Sequence, residues 1–221
     1  MRHNVFSADS ELWSLALVRT VTSFILGNPS VRVMNRKSLL HDNNKTANLL
    51  LAEALGLKVP ETEVYAGPPS CLKQEFEGQD VIAKPLEGGD YASLPSDIDE
   101  ASVSYAAAFI QSRLPGENYR VFVIDGKAYG FSVQSALLDY RVDPETKVVS
   151  VPLTPDIIQG SIALATRCGF DYCALDFRAN ADGTWVFLEI NSFPMFVAFD
   201  DASDNALVNA QLAFLQSGSA D

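Results

Sequence analysis

Two acids and an amide towards the C-terminal end stand where their side chains could act together. In "FLEINSFPMF", Glu189 and Asn191 stand two apart. In a strand both side chains leave one face, while Leu188 and Ile190 leave the other. Upstream, "YCALDFR" sets Asp176 and Arg178 on one face in the same way. An ionised carboxylate among hydrocarbon is costly unless it is paired or bound. Its partner is a base, a hydrogen-bond network or a metal. If the two strands pair, Asp176, Glu189 and the Asn191 amide oxygen form an oxygen-rich cluster. Such a cluster suits Mg²⁺, a hard cation held by one or two carboxylates together with substrate phosphates. Phosphates in turn call for cations. Lys45 opens the "NNKTANLL" helix, and Lys84 in "VIAKPLEGGDY" precedes Gly88 and Gly89. A strand-borne lysine adds a point charge, and backbone N–H groups of a glycine turn can approach phosphate closely. Taken singly, each also fits a solvated lysine or a plain turn.

The elements that must position these residues are legible from periodicity. Residues 9–26, including "LWSLALVRTVTSFIL", read as a helix apolar around most of its circumference, with Gly27 as a stop. "SVRVMN" reads as a short strand. "HDNNKTANLLLAEALGLKVP" reads as an amphipathic helix with Asn or Asp caps, a stripe of Ala47, Leu50, Leu51, Ala54 and Leu55, and Gly56 with Pro60 beyond its end. "ETEVYA" and "DVIAKPL" are strands around a Gly- and Pro-rich loop. "SDIDEASVSYAAAFI" reads as a helix opened by a capping box from Ser96 to Asp99. Asp125-Gly126 in "NYRVFVIDGKAYGFSV" marks a tight hairpin. "TPDIIQGSIALATRCG" has Thr154 as N-cap, Pro155 at the first helical position and Gly169 at the end. "YCALDFR" and "WVFLEIN" form a second antiparallel pair, and a last helix spans residues 203–215. Hairpins interspersed with helices make the fold class α+β, with antiparallel sheets backed by helices.

Composition narrows the function classes. The chain has 221 residues, 16 Lys and Arg against 28 Asp and Glu, and a net charge of −12. That balance argues against broad nucleic-acid binding, which relies on cationic surface. An anionic ligand needs local positive charge. Cys71, Cys168 and Cys173 show no metal-ligand spacing and read as reduced thiols of a cytoplasmic protein, the latter two fitting the core. The first helix is interrupted by Arg19 and falls short of the roughly 20 apolar residues that cross a bilayer. No signal peptide is apparent before it. His3 and His41 match no catalytic arrangement.

Read in order, "NRKSLLHDNNKTANLLLAEALGLKVPETEV", "VIAKPLEGGDY", "FIQSRLPGENYRVFVIDGKAYGFSV", "DYR", "CALDFR" and "FLEIN" resemble the nucleotide-binding body of the ATP-grasp ligases. The resemblance is nearest to the ribosomal-protein glutamate ligases and the related enzymes that cyclise ribosomal peptides through Asp or Glu side chains. It covers residues 31–200. It implies two lobes of antiparallel sheet with ATP between them. Residues 1–34 would form an N-terminal helix and strand remnant, 35–113 a first lobe with a phosphate flap, and 114–221 a second lobe with the metal ligands. It implies that Lys45 and Lys84 contact ATP phosphates under a flap containing Gly88 and Gly89. Gln111 and the backbone of Arg113 and Leu114 would meet adenine, and Glu117 the ribose. Arg120 and Arg141 would face the γ-phosphate or an acyl phosphate, unless they are surface charges. Arg178 fits a pairing with a neighbouring acid. Asp176, Glu189 and Asn191 would hold Mg²⁺, or Mn²⁺.

The activity so implied is ATP-dependent ligation of a carboxylate to an amine or alcohol through an acyl phosphate, on an amino acid, peptide or protein. The alternative is a nucleotide-binding regulatory or scaffold subunit that requires a partner chain. Family members carry an N-terminal domain of about a hundred residues, a usual small-domain size, whereas residues 1–30 precede "VRVMN" here. Removing the acids at 176 or 189 is expected to leave apo stability unchanged or raised. The apolar first helix is expected to meet a second copy or a separate subunit through Trp13, Leu17, Val21 and Phe24, or else to be buried by its own domain.

Overall fold

The computed structural model describes residues 8–39, 44–85, 92–95, 108–135 and 145–217. Two antiparallel sheets organise them. The smaller joins β1 (Thr62–Tyr65), β3 (Ala108–Ser112) and β2 (Val81–Pro85) in the order β1-β3-β2. The larger has the order β6-β5-β4-β7-β8, built from β4 (Asn118–Ile124), β5 (Lys127–Gln134), β6 (Lys147–Val151), β7 (Tyr172–Ala179) and β8 (Trp185–Asn191). This is the expected α+β arrangement of antiparallel sheets with helices.

Local chemistry accounts for most of the elements. Asp125 and Gly126 have φ of 49° and 72°, the left-handed pair that a two-residue hairpin between Ile124 and Lys127 requires. Helix α2 (Lys45–Ala54) begins where the Asn44 side chain accepts from the Ala47 N–H. Helix α4 (Pro155–Cys168) has Pro155 at its first position and ends on left-handed Gly169. Thr154 occupies the N-cap position as expected, but its side chain makes no capping bond.

Several expectations from the sequence are corrected. "SVRVMN" forms no strand: Asn35 adopts left-handed φ 58° and leads into a 3₁₀ turn, Arg36–Ser38. The Gly- and Pro-rich stretch between β1 and β2 contains a helix, α3 (Pro69–Glu75), started by Pro69. Of the helix expected over "SDIDEASVSYAAAFI", residues 96–107 lie outside the described residues, and residues 108–110 belong to β3. The last helix is two: α5 (Val197–Asp201) and α6 (Ala206–Gln216). They break at left-handed Asp204 and Asn205, and the Asp200 carboxylate accepts from the N–H groups of Leu207 and Val208.

The buried face of α2 is rotated from the expected stripe. Asn48, Leu49 and Ala52 are buried, whereas Ala47, Leu50 and Ala54 are exposed. The polar Asn48 takes an inward position because its Oδ1 accepts from the Cys168 thiol at 3.6 Å.

The core has three parts. Leu49 and Ala52 of α2 and Leu164 and Ala165 of α4 pack with Val121, Leu175 and Phe187 of the large sheet. Phe199 and Leu207 pack with Phe122, Phe131 and Ala174 of that sheet. Leu72 and Phe76 of α3 pack with Ala83 and Ile110 of the small sheet. Helix α1 (Ala8–Gly27) lies apart from these clusters, with Trp13 78% and Leu17 62% exposed.

Candidate functional site

Strand pairing brings the polar residues together. Arg120 of β4 lies opposite Asp176 of β7, and Asp176 lies opposite Glu189 of β8. Beside them the ladder slips: Asp176 pairs with Glu189, but Phe177 pairs with Phe187, which leaves Leu188 as the extra residue of a bulge. Strict alternation would send Leu188 to the core side with Ile190. The bulge instead leaves it half-buried and lining the same cavity as Glu189 and Asn191, while Phe187 and Ile190 fill the core.

Asp176 is gripped by Arg120. Nε donates to Oδ1 at 2.6 Å and Nη2 to Oδ2 at 2.8 Å, in the parallel fork geometry of a strong charge-assisted pair. The Asn191 amide donates to Asp176 Oδ2 at 3.1 Å and to Glu189 Oε1 at 3.3 Å. The Arg120 guanidinium also sits 5.3 Å from the centroid of the Phe199 ring. A half-turn of the Asn191 amide would present its oxygen beside those of Asp176 and Glu189. The hard-oxygen donor set therefore fits Mg²⁺.

These groups form one wall of a cavity of about 1000 Å³. The opposite wall comes from the small sheet and from α2, and brings in Ile82, Lys84, Gln111 and Lys45, with Arg113 and Leu114 where the chain passes between the sheets. Gln111 is 2% exposed. Its Nε2 donates to the Thr62 hydroxyl at 3.0 Å, and its Oε1 is buried without a hydrogen-bond partner among the described residues. A buried acceptor left unsatisfied is costly, so this atom fits a donor brought by a ligand. Glu117 does not line the cavity and accepts from the Tyr119 hydroxyl at 3.3 Å. Gly88, Gly89, Arg141, His3 and His41 lie outside the described residues.

The cavity also holds residues beyond the nucleotide and metal sets. Arg178 lines it, with Nε donating to the Gly116 carbonyl at 3.0 Å. Burial, and then the nearby Arg113, lower its pKa from the usual guanidinium value. Phe193, Met195 and Val197 line it from the segment after Asn191. In the sequence, "NSFPMFVAFD" continues past the polar pair in the way of a substrate-facing loop, and this is the segment that supplies them. The cysteines take no part. Cys173 is buried and its thiol is pushed well up by desolvation, Cys168 is partly buried, and Cys71 is exposed.

No family model matches the chain. Over 191 residues it is 27% identical to human N-acetylaspartylglutamate synthase A, a match that covers 77% of this chain and 49% of that one. The chain thus spans about half the length of the curated relatives it matches. Among solved structures it is similar to the ATP-grasp ligase PsnB complexed with a precursor variant, Mg and ADP. That match has a TM-score of 0.71 and 22% identity, over 94% of this chain and 72% of that one. It is also similar to the macrocyclase MdnC bound with precursor peptide MdnA from Microcystis aeruginosa, with a TM-score of 0.73 and 19% identity, over 96% and 72%. The chain therefore has the ATP-grasp fold, and its polar cluster lies in the cleft between the two sheets of that fold.

Proposed function

We propose that the protein is an ATP- and Mg²⁺-dependent ligase that joins a carboxylate to an amine, or to an alcohol, on an amino acid, peptide or protein. One observation carries this reading: a single cleft gathers Lys45, Lys84 and Gln111 on one side and Arg120, Asp176, Glu189 and Asn191 on the other. The names of its relatives support it. They include synthases of N-acetylaspartylglutamate and β-citrylglutamate, and PsnB, whose structures hold Mg, ADP and a precursor.

The likeness to the ATP-grasp ligases supplies the roles. The Gln111 Oε1 accepts from the adenine amine and the Arg113 and Leu114 backbone brackets the base, while Glu117, outside the cavity lining and bonded by Tyr119, would have to turn inward to take the ribose. Lys45 and Lys84 neutralise phosphate, and the likeness gives Gly88 and Gly89 to a flap whose backbone N–H groups would approach it. Asp176, Glu189 and Asn191 would hold Mg²⁺, and Mn²⁺ suits the same oxygens. Bound there, the cation offsets negative charge during phosphoryl transfer. The substrate carboxylate attacks the γ-phosphorus and ADP leaves; the amine or alcohol then attacks the acyl carbon and phosphate leaves. Arg120, whose plane Asp176 fixes, and Arg141 serve the charge on the transferred phosphoryl group. The first lobe ends at Arg113 and the second opens at Leu114.

The test is turnover. The purified chain is incubated with ATP, Mg²⁺ and a library of amino acids and peptides, and ADP and phosphate are followed. Acceptor-dependent ADP release is expected. Tight nucleotide binding with no turnover would instead identify a regulatory or scaffold subunit.

We also assign a second copy of the chain as the cover for α1. Trp13, Leu17, Val21 and Phe24 are all at least 49% exposed. Between Glu11 and Gly27 the only charge is Arg19, so two copies can meet here despite a net charge of −12. A closed two-fold pairing buries the same stripe on both. Among the described residues no helix is long and apolar enough to cross a membrane. Three free cysteines fit a reducing compartment, and we place the protein in the cytoplasm.

A further inference from the structure

The segment after Asn191 is fixed by its backbone and leaves Phe193, Met195 and Val197 outside. The Ser192 carbonyl accepts from Asn35 Nδ2 at 2.9 Å, and the Pro194 carbonyl accepts from the Tyr172 hydroxyl at 2.8 Å. Both donors are themselves held. Asn35 is 2% exposed, and its Oδ1 accepts from the N–H groups of Asp171 and Tyr172. Tyr172 packs against Phe122 and Phe196. With the carbonyls at 192 and 194 tied inward, Phe193 and Met195 stand 81% and 86% exposed, and Val197 69%. Scattered exposed apolar residues are ordinary, but a contiguous set on a pinned backbone marks a contact surface.

That set lines the same cavity as Glu189 and Asn191. At about 1000 Å³ the cavity reaches the upper end of ligand pockets, roughly 300–1000 Å³, and has room for a second ligand beside a nucleotide. The run from 192 to 199, "SFPMFVAF", carries no charge. It therefore neither attracts nor balances an acidic or basic neighbour of the reacting group. Its chemistry is that of an apolar ledge ending at the metal-binding oxygens.

We propose that Phe193, Met195 and Val197 form a specificity subsite for a peptide substrate, and that it takes a large apolar side chain next to the carboxylate that reacts. This deepens the ligase reading and rests on it. The ledge selects by desolvating the flanking side chain. Glu189 and Asn191, at its inner end, set where the carboxylate must lie.

The experiment measures binding of three blocked dipeptides, Ac-Glu-Phe-NH₂, Ac-Glu-Leu-NH₂ and Ac-Glu-Ser-NH₂, by calorimetry in the presence of Mg²⁺ and AMPPNP. Native protein is expected to bind the Phe and Leu peptides about tenfold more tightly than the Ser peptide, a difference within the range of apolar pocket discrimination. In Phe193→Ser/Met195→Ser the three affinities should converge, while the thermal shift given by AMPPNP and Mg²⁺ stays at the native size. Equal affinities in the native protein, absence of peptide binding, or a preference that survives in the variant overturns the subsite. Native protein that shows no nucleotide shift overturns the ligase reading itself, and the subsite with it.

Discussion

Arg120 and Asp176 face each other across neighbouring strands, and the guanidinium donates two parallel hydrogen bonds of 2.6 and 2.8 Å to the carboxylate, with both side chains almost shielded from water. This changes the expectation that loss of an acid from the cluster is harmless to the apo fold. Asp176→Ala leaves a largely buried guanidinium without its anion and should cost about 3–5 kcal/mol. Glu189→Ala removes a half-buried acid whose described partner is the Asn191 amide, and should cost about 1 kcal/mol. Urea denaturation of the two variants checks the contrast, and equal losses would contradict it. The double variant Arg120→Met/Asp176→Leu should regain part of the Asp176→Ala loss, since an apolar pair can replace a buried ion pair. Both single acid variants should lose ligase turnover.

Gln111 supplies a nucleobase test. Its Oε1 is a buried acceptor, so it should favour a purine with an amine at the 6-position over one with a carbonyl there. ATP is expected to bind about tenfold more tightly than ITP, in keeping with the 1–3 kcal/mol of an unsatisfied buried group. Gln111→Met should narrow that gap. Titration calorimetry with both nucleotides reads it, and an unchanged gap in the variant would place the base elsewhere.

Lys84 sits on β2 at the cavity wall. Lys84→Met should weaken ATP binding and slow turnover more than it weakens binding, because its charge matters most as negative charge grows on the phosphoryl oxygens. Lys84→Arg should rescue only part, since a planar fork does not replace a compact ammonium. Native steady-state kinetics in Lys84→Met would return this residue to a surface role.

How much of this was legible in the sequence depends on the range of the interaction. Asp125-Gly126, Asn44, Pro155 and Gly169 act within a few residues, and the hairpin and helix ends they specify are found where expected. The clustering of Asp176 with Glu189 needed only a hairpin and its pairing. Asn35 lay beyond such reasoning. Its left-handed backbone and inward side chain are set by Asp171, Tyr172 and Ser192, more than 130 residues away. The bulge at Leu188 likewise comes from how β8 lies on β7, and a one-residue change of register moves every side chain to the other face.

Tyr172 gives a pH prediction. Burial raises its hydroxyl from 10.0 to about 12, against an opposing pull from Arg120. The folded pKa lies above the unfolded one, so its contribution to stability is complete below pH 10 and is lost as pH rises towards 12. Between those limits unfolding stability should fall. Tyr172→Phe should show a shallower fall, with lower stability at neutral pH from loss of the bond to the Pro194 carbonyl. Chemical denaturation at several pH values measures both, and parallel profiles would contradict the assignment.

Light scattering tests the cover of α1. A dimer is expected, and Leu17→Asp or Phe24→Asp should yield folded monomers. A native monomer whose variants unfold would show instead that α1 packs on its own chain.

The stacking of Tyr119 on Trp185, with ring centroids 3.9 Å apart, gives the molecule a built-in optical readout. The chain has two tryptophans, and they report on separate places. Trp185 touches a residue that lines the cleft, whereas Trp13 stands in water on α1. Replacing Trp13 with Phe leaves emission that follows cleft occupancy. Replacing Trp185 leaves emission whose wavelength shifts only when α1 is covered. Ligand entry and subunit pairing can thus be timed independently by fluorescence, with no attached dye.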